Sequence, residues 1–319
     1  MILRVNVLSS IAIFIVSIST GRAYAASLSN SSSPNTIDEI ETIAGGLTVP
    51  YEIAVQGSNL VVTTNGALVK VDESGVVTTI TDLAAGPPAG VLVFEDDYVV
   101  VEYATGSLLR VSEDGTEIST LATNLGLPVG VARQGNDFIV VDIGTPDDTV
   151  IGKARLLRVS LDGDVSVIAS ENLGAPAAVF VDGDNFWLTD FNLGRLLLVS
   201  PAGEVTTVAT DLGQPLDIDF DGSNFIITDF ARGFEEKGKG RILGVSKTGK
   251  VTTLFSGLGN PSGLAIQKSD LIFSDVVEGS LTRLTNFTPR ASVPEPSSVL
   301  GLLALGLFGA GVRLKSKLE

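Results

Sequence analysis

Apolar residues in the middle of this chain fall into short runs separated by polar turns, and the whole arrangement recurs as a unit. Each unit opens with Gly-Leu or Leu-Gly and a proline. It continues through an apolar run, a polar turn and a second apolar run, and closes on Leu-Leu-x-Val and a glycine turn. The anchoring prolines are Pro50, Pro88, Pro128, Pro176, Pro215 and Pro261, spaced by 38, 40, 48, 39 and 46 residues. No helical period runs through this region, whereas short runs bounded by Gly, Asp and Asn are what strands and hairpins require. Units of this length, each supplying four strands, predict the blades of a β-propeller.

The unit at Pro176 shows the strands. Residues 177–181 form strand a, Asp182-Gly183-Asp184-Asn185 a hairpin turn, and Phe186-Trp187-Leu188-Thr189 strand b. Residues 195–199 form strand c, and Ser200-Pro201-Ala202-Gly203 turns into strand d over 204–209, where Val205 to Val208 are β-branched. The glycine of the c–d turn returns as Gly75, Gly115, Gly163, Gly203 and Gly249. The sixth unit supplies strands a, b and c and stops near Phe287. Its missing strand is expected from the other end of the chain, where Glu39-Ile40-Glu41-Thr42-Ile43 matches Val251-Thr252-Thr253-Leu254-Phe255. Such a strand would close the ring and remove two open edges. The fold expected is all-β: a six-bladed propeller of four-stranded blades over residues 37–290, with an N-terminal strand closing the last blade.

The units resemble those of the NHL and SMP-30/gluconolactonase-like six-bladed propellers, including the ScyD/ScyE type of cyanobacteria. Pro261-Ser262-Gly263-Leu264-Ala265-Ile266 and Phe225-Ile226-Ile227-Thr228-Asp229 carry the likeness, which covers residues 37–287. The fold follows from it more firmly than any activity, since propellers serve as enzymes, binders and scaffolds.

The ends differ in character. Arg4, an apolar run through Ile11, Ile13, Phe14 and Val16, and then Ala23-Tyr24-Ala25 describe a secretory signal peptide over 1–25, with the cut expected before Ala26. A Ser/Asn-rich linker spans 26–36. The tail, 291–319, contains Val293-Pro294-Glu295-Pro296-Ser297-Ser298, an apolar stretch over 299–312, and a basic end over 313–319 with Arg313, Lys315 and Lys317. The apolar stretch is shorter than the roughly 20 residues of a stable membrane span. Its basic end favours the cytoplasmic side. Pro294, Glu295 and Pro296 ahead of a short span and a basic end resemble the PEP-CTERM sorting signal, with a C-terminal transmembrane sorting helix. The resemblance implies membrane anchoring before processing by an exosortase-type protease, then a place at the cell surface or outside, linked to exopolysaccharide. The mixed lysines and the final Glu319 depart from the arginine cluster usual there.

Composition narrows the chemistry. The chain has no cysteine and no histidine. Thiol chemistry, a Ser-His-Asp triad and the usual zinc ligands are therefore excluded. Between the signal and the tail, 16 basic and 35 acidic residues leave a net charge of −19, which makes nucleic acid a poor partner.

The carboxylates concentrate at one place in the repeat. The ends of strands b read Thr64, Glu102, Asp142, Asp190, Asp229 and Asp275; the starts of strands a read Glu52, Gly90, Gly130, Ala178, Asp217 and Gly263. Antiparallel pairing puts both sets at one rim of the channel, with Asp217 and Asp229 side by side. Two readings follow. In one, Glu52, Asp217, Asp229 and Asp275 hold a hard cation, Ca²⁺, through oxygen ligands; the SMP-30-like resemblance implies a lactonase-like hydrolase of this kind. Its usual Glu, Asn and Asp ligands are incompletely matched, since no Asn stands at an inner-rim position. In the other, the aspartates fasten blades, because Asp142, Asp190 and Asp229 are each followed by an arginine at the start of strand c: Arg155, Arg195 and Arg241. Two long b–c connections, 144–154 with Asp147 and Asp148 and 231–240 with Arg232, Lys237 and Lys239, are candidate loops for a small or acidic ligand. Asp219, Asp221 and Asn224 imitate the opening of an EF-hand loop, but lack its glycine and closing glutamate. The functions in view are a non-catalytic binding or structural module, a Ca²⁺-dependent lactonase, and an accessory role in making an exported pigment, the last resting on the ScyD/ScyE likeness alone.

Overall fold

The computed structural model describes residues 39–83, 88–144, 154–230 and 239–287. The signal peptide, the linker, the sorting tail with its expected helix, and most of the two long connections lie outside these residues.

The described residues form six four-stranded antiparallel sheets. Strand β1 (Ile40–Ala44) comes first and belongs to the last blade. Blade 1 is β2 (Ile53–Gln56), β3 (Asn59–Thr64), β4 (Ala67–Val71) and β5 (Val77–Asp82). Blade 2 is β6 (Pro88–Phe94), β7 (Asp97–Glu102), β8 (Ser107–Val111) and β9 (Ile118–Ala122). Blade 3 is β10 (Pro128–Gln134), β11 (Asp137–Asp142), β12 (Arg155–Val159) and β13 (Val165–Ala169). Blade 4 is β14 (Pro176–Asp182), β15 (Asn185–Asp190), β16 (Arg195–Val199) and β17 (Val205–Ala209). Blade 5 is β18 (Pro215–Phe220), β19 (Asn224–Asp229), β20 (Gly240–Ser246) and β21 (Val251–Leu258). Blade 6 is β22 (Pro261–Gln267), β23 (Asp270–Asp275), β24 (Ser280–Leu284) and β1. The closing strand pairs Ile40 with Leu284 and Thr42 with Thr282, as the sequence pattern demanded.

Hydrophobic patterning explains the packing. Each second strand is apolar on both faces, because a blade is covered on both sides by its neighbours; Phe138 to Val141 are fully buried, as are Phe225 to Ile227. The outer strands keep one face wet, and Ile118, Val165 and Val251 stay exposed. Six apolar clusters lie between successive blades and complete the circle. Val61, Leu68 and Tyr98 join blades 1 and 2, Phe186 and Ile139 blades 4 and 3, and Ile272 and Val62 blades 6 and 1.

The first strands start, and the second strands end, at the same end of the propeller as the inter-blade linkers. We call this the linker end, and the opposite end, with the a–b and c–d turns, the base.

Candidate functional site

The recurrent aspartates sit at the linker end, where each holds the incoming connection from the preceding blade. Asp142 Oδ1 accepts the N–H groups of Leu127 (2.7 Å) and Gly144 (2.9 Å), while Oδ2 accepts Arg155 Nε (2.7 Å). Arg155 in turn donates to the Leu125 carbonyl at 2.9 Å, gripping the linker from its other side. Asp190 repeats this with Ala175 N–H (3.0 Å) and Arg195 Nε (2.8 Å), and Asp229 with Gln214 N–H (2.8 Å) and Arg241 Nε (2.6 Å). Asp275 has Ser280 opposite it in place of an arginine, and accepts Asn260, Val277 and Glu278 N–H groups instead. The linker must pass close over each carboxylate. At Gly126, with φ +87°, a Cβ would lie 2.5 Å from Asp142 Oδ1, so only glycine fits.

A second repeating device was not anticipated. The residue before the end of each second strand reads Thr63, Val101, Val141, Thr189, Thr228 and Ser274. The four hydroxyls bridge two blades. Thr228 Oγ1 accepts Asp217 N–H at 3.0 Å and donates to the Ser262 carbonyl of blade 6 at 2.6 Å. Thr189 does the same between Ala178 and Leu216, and Ser274 between Gly263 and Tyr51. Thr63 joins Glu52 to Ala89. These hydroxyls are fully buried, and each satisfies groups on the inner strands that would otherwise face an apolar wall.

The channel itself holds a cavity of about 280 Å³ bounded by strands β2, β10, β14, β18 and β22. Its polar groups are Glu52, Asp217 and Asp219. A bulge between Pro215 and Ile218 sets Pro215, not Asp217, opposite Asp229. The expected Asp217–Asp229 pair is therefore not formed. Asp217 hydrogen-bonds to Glu52 of blade 1 instead. Asp217 Oδ1 also accepts Ile218 N–H (2.7 Å) and Oδ2 accepts Leu264 N–H (2.6 Å). Two residues on, Asp219 accepts Phe220 and Ile266 N–H groups at 2.7 and 3.0 Å. The two aspartates thus cap the free inner edge of β22. Burial pushes the Glu52 carboxyl well above the usual carboxylate range, and the neighbouring Asp217 charge adds to this. Burial raises Asp217 to about 6, against the opposing pull of Glu52 and of the Leu264 and Ile218 N–H groups. Asp219 is raised by burial as well. Of the two, Glu52 is the one that favours the protonated form, with Asp217 as its acceptor.

The four residues expected to converge on a cation are split by this arrangement: Glu52 and Asp217 meet in the channel, while Asp229 and Asp275 are engaged at the linkers. The remaining inner-rim positions, Gly90, Gly130, Ala178 and Gly263, offer no side-chain oxygen. They are small because successive blades touch here; a Cβ at Gly130 would lie 2.8 Å from the Ala177 carbonyl and one at Gly90 3.0 Å from Val131 N. Among the described residues, no group of three acidic side chains is arranged to hold a metal ion. The donor set does not fit the six to eight oxygens that Ca²⁺ takes. Asp219, set aside with the EF-hand imitation, lines the cavity. Asp221 caps its own turn, with Oδ1 accepting Ser223 and Asn224 N–H groups at 2.7 Å. Asp147, Asp148, Arg232 and Lys237 fall outside the described residues, and Lys239 lies just before β20. Pro294, Glu295 and Pro296 are outside them too.

Comparison with known proteins gives the fold and the tail separate relatives. A gluconolactonase from Xanthomonas campestris superposes with a TM-score of 0.65 at 16% identity, covering 83% of this chain and 98% of that one. The Staphylococcus aureus virginiamycin B lyase, in a variant inactivated by changing one histidine to alanine, gives 0.58 at 14%, covering 77% and 99%. A chain of the nidogen/laminin complex gives 0.59 at 16%, covering 68% and 84%. A lactonase, a lyase and a component of a protein complex share this architecture, so the likeness is one of fold. No curated protein sequence matches significantly. Residues 292–316 match the PEP-CTERM protein-sorting motif. The chain is a six-bladed β-propeller with the fold seen in the gluconolactonase structure, and it carries a PEP-CTERM motif, which marks it for export, exosortase processing and a place at the cell envelope.

Proposed function

We propose that this propeller is a non-catalytic binding or structural module of the cell surface, associated with exopolysaccharide. The observation that carries the proposal is how the channel's polar groups are used. Four of six inner-rim positions are Gly or Ala, and both oxygens of Asp217 and of Asp219 accept backbone N–H groups that hold the inner strands in place. The acids serve the ring, and among the described residues no group of three acidic side chains is arranged to hold a metal ion for lactone hydrolysis. A chain without histidine also lacks the residue type whose loss inactivates the similar lyase. The association with exopolysaccharide rests on the resemblance of the tail to the sorting signal alone; the motif match supports surface sorting.

The test is co-sedimentation of the secreted chain with exopolysaccharide extracted from the producing cells, alongside a lactone panel assayed with and without Ca²⁺. Saturable co-sedimentation without hydrolysis is the expected result. Ca²⁺-dependent turnover of any lactone, lost in Glu52→Gln, would replace this reading with that of a lactonase.

A further inference from the structure

The linker that enters blade 1 is built differently from those that enter blades 3 to 6. In each of those four a leucine is followed by a glycine, Gly126, Gly174, Gly213 or Gly259, which passes over the aspartate ending the second strand of that blade. Entering blade 1, Leu47 is followed by Thr48, and the second strand ends on Thr64. Thr64 Oγ1 donates to the Ala67 carbonyl of its own blade at 3.1 Å, and Ala67 stands opposite it where blades 3 to 5 place an arginine. The aspartate clamp is therefore not formed on this linker. The left-handed turn that Gly126, Gly174 and Gly213 make at φ +70° to +87° falls instead on Val49, at φ 49°. A β-branched residue is a steric outlier in that conformation. Val49 also precedes Pro50, and a residue before proline is confined to extended backbone by the ring. Backbone strain thus sits at the entrance to the first blade.

The segment before this strained point is β1, the strand that blade 6 borrows from the far end of the sequence. Its first three residues are exposed. It is held by its ladder to β24, with Glu41 opposite Arg283, by the Leu47 N–H donating to the Gly279 carbonyl at 2.9 Å, and by Ile43, Ala44 and Leu47 in the apolar cluster between blades 6 and 1. We propose that two copies of this chain exchange residues 39–47, each seating its β1 on β24 of the other, with Thr48 and Val49 as the hinge. Exchange remakes every contact of the strand, because the donor and the acceptor edge are the same sequences, and its gain is at the hinge. A short strained hinge favours exchange, since crossing to the other copy lets the segment extend. Val49 then returns to the extended backbone that its side chain and Pro50 both prefer. The β24 edge suits this occupant: a strand of other sequence would have to place an acid opposite Arg283 and fill the positions of Ala44 and Leu47, which a second copy does by identity. The exchange closes at two chains, unlike the edge-to-edge association open to a chain that lacks β1. It is independent of what the propeller binds.

The absence of cysteine makes the test direct. Two differently tagged full-length chains are co-expressed, one carrying Thr42→Cys and the other Thr282→Cys, positions directly opposite each other across the β1–β24 pair. The purified protein is oxidised and resolved on a non-reducing gel. A disulfide joining the two tags is expected. It should be about tenfold weaker when Arg283→Cys replaces Thr282→Cys, because neighbouring side chains of a strand face opposite sides. Val49→Gly in both chains accepts the left-handed backbone without strain and should lower the mixed product about tenfold. No mixed product, while one chain carrying both cysteines closes its own disulfide, overturns the exchange. Equal product from Arg283→Cys marks random collision and overturns it as well. A mixed product unchanged by Val49→Gly removes the hinge, and the proposal with it.

Discussion

The protonated pair of Glu52 and Asp217 gives this propeller an unusual dependence on pH. Both carboxyls are raised above their ordinary values, so the folded chain binds protons more tightly than the unfolded one. Their contribution is then fully present below the unfolded carboxylate range and is lost as pH rises through the folded values. For Asp217 the change from 3.8 to about 6 is worth about 3 kcal/mol at 1.36 kcal/mol per unit, an order of magnitude shared with its partner. Glu52→Gln isolates the Glu52 part, because the amide still donates to Asp217 but never ionises. At pH 4.5 the variant should match the parent within about 0.5 kcal/mol, since both hold a neutral donor at residue 52. At pH 8 it should melt above the parent, because residue 52 no longer has to hold a proton that the unfolded chain releases. The roughly 3 kcal/mol tied to Asp217, about 6–12 °C in melting temperature for a domain of this size, persists in the variant, since burial is its largest cause. Thermal unfolding followed by far-UV circular dichroism at pH 4.5, 6 and 8 measures it. A parent whose melting temperature is flat between pH 5 and 8, or a variant that gains nothing at pH 8, would refute the shared proton.

Three further outcomes are expected. Arg195→Ala should destabilise by about 3–5 kcal/mol in urea unfolding, because it leaves the fully buried Asp190 without its cation; adding Asp190→Asn should recover part of that loss. Thr228→Val, nearly isosteric, removes one accepted and one donated hydrogen bond and should cost about 1–3 kcal/mol. Deleting residues 39–44 leaves β24 as an open edge; dynamic light scattering should then show oligomers that the intact chain does not form.

The fold was readable because blade periodicity, turn glycines and the strand count all point to one answer, down to the N-terminal strand that closes blade 6. The site was less so, and particular residues show why. The arginines after Asp142, Asp190 and Asp229 recur with the repeat, so their pairing is visible in the sequence. That the pairs grip a linker rather than a neighbouring blade depends on Gly126 and its equivalents passing over the carboxylate, which spacing does not reveal. Thr63, Thr189, Thr228 and Ser274 hid in plain view: a β-branched threonine in a strand needs no further explanation, and only the swap to Val101 and Val141 in two blades hints at a separate role. The channel pair was out of reach for a geometric reason. Register counted from the proline assumes an unbroken ladder, and the bulge after Pro215 breaks it where Asp217 turns from its own blade toward Glu52. Asp219 was dismissed by the correct test for the wrong question, since failing as an EF-hand says nothing about the channel wall. The same bulge recurs after Pro88, Pro128, Pro176 and Pro261, but there the second residue after the proline, the counterpart of Asp217, is Gly90, Gly130, Ala178 and Gly263 and carries no carboxylate. Blade 5 alone among the bulged blades spends two carboxylates on its neighbour's inner edge. That neighbour is blade 6, the blade assembled from both ends of the chain, where a ring closed by noncovalent pairing has most need of an added hold.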